Sequence, residues 1–216
     1  PEVVQNSLRG RLISEEGKAV LGGLKNVEDR LRQIERLTIV ACGTAYYAGL
    51  IGEYMIEEYA GIPVEVCIAS EFRYRKPILN PKTDAVLVLS QSGETADTLA
   101  AVKEAKEKGV LVLGIVNVIG STIAQETDAG IYNHAGPEIG VASTKVFVSQ
   151  LTILSLLTLF LGRQRQISIV MGKRIADELF KISKYIEEIL KQNELIKKVA
   201  KKYCQYNNFF FLGRKY

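Results

Sequence analysis

The sequence predicts an α/β fold of three layers, in which a parallel sheet lies between two layers of helices. Several short segments are apolar without interruption, as strands are when both faces of a sheet are covered. Each of these segments is followed by a stretch with the spacing of a helix, and this alternation is typical of parallel sheets. Glycine and polar residues separate the two kinds of segment and mark the turns.

The predicted strands and helices follow each other in a regular order. A strand over Leu37–Cys42 precedes a helix that runs through Tyr59, and a helix through Lys108 follows the third strand. The other predicted strands are Pro63–Ile68, Ala85–Leu89, Val110–Val116 and Gly130–His134. The apolar stretch Val146–Gly162 is shorter than the roughly 20 residues that cross a bilayer, so we expect a helix in the core or in a subunit interface, and no membrane.

The remaining segments lie outside this main domain, which we place at residues 36–162. Residues 1–35 are expected to form a helical lead-in, and residues 163–206 to form connecting helices. Apolar residues recur at helical spacing across Met171–Tyr206, with a break expected near Asn193. Residues 207–216 predict a further strand whose ending echoes the first strand and its turn, as if a second copy of the domain began there.

Composition excludes several functional classes. The net charge of +4 comes mainly from the carboxyl-terminal region and not from one basic patch, so no nucleic acid partner is expected. Three cysteines without nearby histidines predict neither disulfides nor a metal site, and a cytoplasmic protein without a cofactor fits best. The start of the sequence resembles no secretion signal and has no initiator methionine, which suggests that it begins within a longer protein.

The segment Leu89–Thr98 predicts a phosphate site. It follows a buried strand, and ligands of open parallel sheets bind beyond the carboxyl ends of the strands. The hydroxyls come from Ser90, Ser92 and Thr95, and the start of the next helix adds free backbone N–H groups. Gln91 adds an amide, and Gly93 permits a tight turn. The alternative is that Ser92 or Thr95 merely caps the helix.

Two other polar turns are expected at the same edge of the sheet. Cys42, Gly43 and Thr44 end the first strand and offer a hydroxyl with free N–H groups, unless they form a plain turn between strand and helix. The loop Glu138–Lys145 precedes the long apolar helix, and there the alternative is that Ser143 or Thr144 caps this helix. Three polar turns on one sheet edge predict a binding site.

Four motifs, in this order and spacing, carry a resemblance: ACGTAYYAG, ASEFRYRK, LSQSGETADT and GPEIGVASTK. Together they resemble the first sugar isomerase (SIS) lobe of the glucosamine 6-phosphate synthase family, over almost the whole chain. The resemblance implies a flavodoxin-like sheet and a site for fructose 6-phosphate or glucosamine 6-phosphate. By this resemblance the phosphate is held by Ser90, Gln91, Ser92 and Thr95, and the sugar is lined by Cys42, Gly43, Thr44, Val141, Ala142 and Ser143. Ala45 departs from the serine common in the family.

The resemblance also implies an activity and a partner. Family members convert fructose 6-phosphate and glutamine to glucosamine 6-phosphate and glutamate, and they form homodimers. They keep their catalytic residues in parts that match nothing in this sequence, so we expect this chain to bind the sugar phosphate without turning it over.

Two alternatives to this function stay open. A non-catalytic sugar-phosphate sensor is one, since SIS lobes also occur in regulators. A complete phosphosugar isomerase is the other, and it would need a base within this chain. His134 is more often structural at such a position, Glu138 is expected to orient the sugar or its own loop, and Lys145 is expected to pair with a carboxylate.

Overall fold

The structure is a computed structural model that describes residues 1–140 and 142–213. Its amino-terminal arm packs against the main domain and is only partly helical. Its α-helices and strands are α1 (Glu2–Leu8), β1 (Leu12–Ile13), β2 (Lys18–Ala19) and α2 (Glu28–Gln33), with short 3-10 helices at Ser14–Glu16 and Gly22–Val27. The two short strands pair antiparallel, so the predicted helical lead-in also contains a small ribbon. Gly17 turns this ribbon with a φ of 57°.

A sheet of five parallel strands forms the centre of the main domain. Its strands are β3 (Arg36–Ala41), β4 (Val64–Ile68), β5 (Asp84–Ser90), β6 (Leu111–Val116) and β7 (Ala129–Tyr132). They lie in the order β4-β3-β5-β6-β7, which is the flavodoxin-like order, and all neighbours pair parallel. The chain leaves β3 first toward one edge and then toward the other, so the order reverses between β3 and β5. The predicted fold class is confirmed.

Helices cover both faces of the sheet and complete the three layers. One core cluster joins one face of β3 to α3 (Thr44–Ala60) and α7 (Lys145–Arg163). A second cluster joins the opposite face to α4 (Ala69–Tyr74) and α5 (Ala96–Glu107), with α6 (Thr122–Glu126) beside them. Neighbouring residues of β3 divide between the two clusters: Ile39 belongs to the first and Val40 to the second, and both are fully buried. This is why the strands are apolar throughout and do not alternate.

The long apolar helix α7 lies in the core and not at a surface. Twelve of its residues are buried, and it packs against α1 and α3. By length and composition alone it would be apolar enough to cross a membrane, but core helices pass the same test. Of the two predicted locations, the core is confirmed, and a place for α7 in a subunit interface stays a prediction.

Two further helices extend from the main domain. α8 (Ile169–Leu190) has buried residues from Gly172 to Ser183. Gly172 lies so close to Gly17 that a Cβ on either glycine would overlap backbone of the other segment. α9 (Asn193–Tyr203) has no buried residue. The break predicted near Asn193 is found between these two helices. The predicted strand that follows is absent from residues 207–213, where no described strand lies alongside to pair with them and Phe210 is 92% exposed. Residues 214–216 lie outside the described part of the chain.

Candidate functional site

The loop between β5 and α5 folds over its own first hydroxyl. Ser90 ends β5 and is buried, and its Oγ accepts a hydrogen bond of 3.0 Å from the Gly93 N–H. Gly93 has a φ of 70°, and a Cβ there would overlap the side chain of Ser121. The Ile123 N–H, at the start of α6, donates to the Gly93 carbonyl. The loop is therefore held against α6, and only glycine fits at its tightest point.

The hydroxyls of Ser92 and Thr95 are not used to cap α5. Thr95 is the residue at the amino-terminal boundary of α5, yet its side chain accepts no hydrogen bond from the helix. Its Oγ1 lies 3.5 Å from the Ser90 Oγ. Ser92 Oγ accepts from the Glu94 N–H over 3.1 Å, within the turn that precedes the helix. The alternative that Ser92 or Thr95 caps α5 is wrong, and the Thr95 hydroxyl stays available to a ligand beside the free N–H groups of the helix.

A second turn faces this loop across the sheet edge. After β3 the chain turns at Gly43, which has φ 59° and ψ −136°, and then enters α3 at Thr44. Cys42 and Thr44 are both half-buried, and Gly43 itself is exposed. The turn lies next to the β5 loop because β3 and β5 pair directly, with Ala41 opposite Leu89. This is the point at which the strand order reverses, where ligands of open α/β sheets bind.

The third segment is the loop before α7, and one carboxylate organises it. Glu138 Oε2 accepts hydrogen bonds from the Val146 N–H at 3.0 Å, the Thr144 N–H at 3.1 Å and the Ser143 hydroxyl at 3.2 Å. Neither Ser143 nor Thr144 caps α7 as the alternative supposed, because Glu138 takes that role and the Thr144 side chain makes no cap hydrogen bond. The structure thus shows Glu138 orienting its loop; any contact with a sugar stays a prediction.

These hydrogen bonds, first among them the one from the Val146 N–H, lower the pKa of Glu138, with smaller contributions from Thr144, Ser143 and the charge of Lys145. The folded chain therefore binds this proton less readily than the unfolded chain. The resulting stabilisation is complete above the ordinary pKa of a glutamate and is lost as the pH falls through the lowered value.

Replacing Glu138 by alanine is expected to lower the free energy of unfolding by about 1 kcal/mol at pH 7, the usual cost of losing a helix cap. As the pH falls through the lowered pKa of Glu138, the difference in unfolding free energy between variant and wild type should narrow, because the wild-type carboxylate is then being protonated. Urea unfolding over a series of acidic pH values measures this. Glu35→Ala, which removes an exposed carboxylate elsewhere, is the control. A gap that stays constant with pH would contradict the role of the charge.

The three segments enclose a cavity of about 140 Å³. Its described lining consists of hydroxyls, two amide side chains, one thiol and apolar walls. The residues are Cys42, Thr44, Ala45, Leu89, Ser90, Gln91, Ser92, Thr95, Ser143 and Gln150. Seven of them, the polar ones other than Gln150, belong to the site predicted from the sequence. Three other predicted site residues do not line the cavity: Gly43, Ala142 and Glu138. Val141 lies outside the described residues.

Gln150 was missed by the sequence analysis. It lies on the second turn of α7, is 1% exposed and lines the cavity. A signal was present, because Gln150 follows Ser143 by seven residues and two helical turns return a side chain to the same face. The residue was overlooked because it stands within an apolar stretch that indicates a core helix.

The other candidate residues lie outside the cavity. His134 is exposed with a φ of 57°, and some loss of solvation together with the charge of Arg11 lowers its pKa. Lys145 has no carboxylate within ion-pair distance in the described parts of the chain, so the predicted pairing is not found. Across residues 1–140 and 142–213, no three histidine, cysteine, aspartate or glutamate side chains are grouped as metal ligands would be.

Comparison with known proteins agrees with this geometry. The family described as SIS domain matches residues 30–160. Over its full length the chain is 53% identical to a "Glutamine--fructose-6-phosphate aminotransferase [isomerizing]" of Chlorobaculum tepidum and 45% identical to the protein of the same name from Bacteroides thetaiotaomicron. It spans 35% of the length of each.

Among solved structures, the chain is similar to the C-terminal domain of glucosamine-fructose-6-phosphate aminotransferase from Francisella tularensis. The two share 34% sequence identity with a TM-score of 0.88. The match covers 94% of this chain and 56% of that one.

Proposed function

The chain belongs to the SIS domain family, and from this premise we propose that it is the sugar-phosphate-binding part of the isomerase module of a larger enzyme. That enzyme would convert fructose 6-phosphate and glutamine to glucosamine 6-phosphate and glutamate, as the names of its relatives suggest. The observation that carries the proposal is the convergence of three polar turns on one cavity where the strand order reverses.

The phosphate would lie over the amino-terminal end of α5. Three hydroxyls, from Ser90, Ser92 and Thr95, line the cavity there, and that of Thr95 is not spent on the helix. The first N–H groups of α5 and the positive end of its dipole favour an anion at the same place. Hydrogen bonds to a charged group contribute roughly 1.5–3 kcal/mol each, so a few such donors can hold a phosphate dianion without a lysine or arginine.

The sugar would extend from the phosphate toward Cys42, Thr44 and Ser143. A cavity of about 140 Å³ is smaller than the roughly 300 Å³ at which ordinary ligand pockets begin. The described residues therefore enclose part of the ligand, and we expect the rest of it to project from the cavity mouth. Ala45 lines the wall with a methyl group, so no hydroxyl reaches the sugar from that position.

Catalysis needs groups that this site lacks. Moving a proton between neighbouring carbons of the sugar requires a general base, and forming an imine requires an amine. None of the described residues that line the cavity is a carboxylate, a histidine or a lysine. We therefore propose that the chain binds the substrate and that catalytic groups come from other parts of the enzyme.

Adding fructose 6-phosphate to the chain is expected to raise its melting temperature, because a ligand that binds only the folded state stabilises it. Incubation with fructose 6-phosphate and ammonia is expected to yield no glucosamine 6-phosphate. Differential scanning fluorimetry and a chromatographic assay for the amino sugar measure the two. Inorganic sulfate at equal concentration controls for a general anion effect. An unchanged melting temperature would overturn the binding role. Formation of glucosamine 6-phosphate would overturn the proposal that the catalytic groups come from other parts of the enzyme.

Two wider expectations accompany this proposal. A homodimer is implied by the family resemblance, and the exposed apolar side chains Phe180, Ile189 and Leu195 on α8 and α9 offer surface for association. A reducing cytoplasm suits the three cysteines, which are all unpaired.

A further inference from the structure

Gln150 carries a buried amide group that the folded chain leaves without a partner. Its Nε2 is inaccessible to solvent and has no hydrogen-bond partner in the described structure. Burying an N–H donor without an acceptor is unfavourable, so such groups usually mark strain, a bound water or a ligand site. Gln150 lines the candidate cavity, and this position favours a ligand site.

We propose that the Gln150 side-chain amide donates a hydrogen bond to an oxygen of the bound sugar phosphate. This inference rests on the proposed function and adds a ligand contact that the sequence motifs do not contain. Other buried side-chain atoms among the described residues also lack hydrogen-bond partners, but of all these residues only Gln150 lines this cavity. The others belong to Ser14, Thr98, Ser121, Asn133, Arg163 and Gln164.

The helix geometry supports the contact. Ser143 and Gln150 both line the cavity and stand seven positions apart, with the chain helical from Lys145 onward. Ser143 lies just before α7, and Gln150 lies one turn further into the helix than Val146, whose N–H is held by Glu138. The amide is thus carried by a rigid helix whose start is fixed. A donor held in this way reaches a ligand oxygen without first losing much side-chain freedom.

A ligand contact and a structural role predict opposite effects on stability. Gln150→Met keeps the length of the side chain but removes the unpartnered amide. If the amide serves the ligand, the variant without ligand should melt about 2–4 °C higher, because the unsatisfied donor is gone. Its dissociation constant for fructose 6-phosphate should nevertheless rise about tenfold, because a hydrogen bond to the ligand is lost.

Gln164→Met is the matched control. Gln164 follows α7 at its other end, about 21 Å away along the helix axis, and also has a buried amide atom without a partner. It lines a different cavity, next to Lys18 and Phe160. This variant should bind fructose 6-phosphate as tightly as the wild type, whatever its melting temperature.

Gln150→Glu provides a second variant in case methionine disturbs the fold. It has nearly the same shape but replaces the amide donor by an acceptor, which carries a negative charge when ionised and would face the ligand oxygen, so binding should fall by more than in the methionine variant. Isothermal titration calorimetry measures the affinity of the wild type and the three variants for fructose 6-phosphate, and circular dichroism checks that each is folded.

The possible outcomes test the Gln150 contact separately from the proposed function on which it rests. Weaker binding by both Gln150 variants, with the Gln164 variant unchanged, supports the contact. Wild-type affinity in either folded Gln150 variant would overturn the contact while the proposed function stands. Absence of binding by the wild type itself would overturn the proposed function, and the contact with it.

Discussion

Replacing Ser92 and Thr95 together by alanine is expected to weaken fructose 6-phosphate binding at least 100-fold. Both hydroxyls line the cavity at the start of α5, and that of Thr95 makes no cap hydrogen bond in the ligand-free chain. Hydrogen bonds to a charged group contribute roughly 1.5–3 kcal/mol each, and 1.4 kcal/mol corresponds to a factor of ten. Calorimetry gives the affinity directly, and the ligand-induced rise in melting temperature should disappear.

Thr83→Ala is the control for this double variant. Thr83 stands just before β5 and therefore lies at the other end of this strand from the site. Seven residues of strand separate the two ends by roughly 23 Å. Its replacement also removes a hydroxyl but should leave the affinity unchanged. If the double variant kept the full ligand-induced shift, the phosphate could not lie where we place it.

Replacing Gly93 by alanine is expected to lower the free energy of unfolding by about 2–4 kcal/mol and to disrupt the site. The φ of 70° is unfavourable for alanine, and the added Cβ would overlap the Ser121 side chain. Relief of that overlap moves the β5 loop away from α6. The hydroxyls that the loop presents would then lose their positions. Urea unfolding measures the loss of stability, and calorimetry measures the accompanying loss of affinity.

Gly120→Ala separates the cost of the unfavourable φ from the cost of the overlap with Ser121. Gly120 has a similar φ of 74°, but a Cβ there would meet nothing within 4 Å. Its replacement should therefore cost only the backbone term, about 1 kcal/mol. Equal losses of stability in the two variants would show that contact with Ser121 has no part in holding the loop.

The sheet and much of the site follow from local patterns in the sequence. Uninterrupted apolar segments such as Ala85–Leu89 predict strands that are buried on both faces, and β5 is fully buried. Polar turns after two of these strands predict a site, because carboxyl ends of parallel strands share one edge. That β3 and β5 are direct neighbours is a matter of topology, which the resemblance supplied and local pattern did not.

What the sequence could not indicate depends on contacts between distant residues. Capping of α7 by Glu138 was missed because a side chain from outside the helix does the work that Ser143 or Thr144 could have done. Gln150 was missed because it stands beside Ser149 within an apolar stretch, and its seven-residue spacing from Ser143 gains meaning only when both residues are seen to line one cavity. The prediction of a strand after residue 206 is wrong because a distant partner is missing: an apolar run becomes a strand only where another strand pairs with its backbone.

The described wall of the cavity offers uncharged donors only, and this affects how salt acts on the site. Sites built from lysine and arginine lose affinity as ionic strength rises, because mobile ions screen exposed charges. Hydroxyls, amides and helix N–H groups act at short range through directional hydrogen bonds. The site that we propose would therefore select a sugar phosphate by shape and donor geometry, rather than attract every anion that approaches.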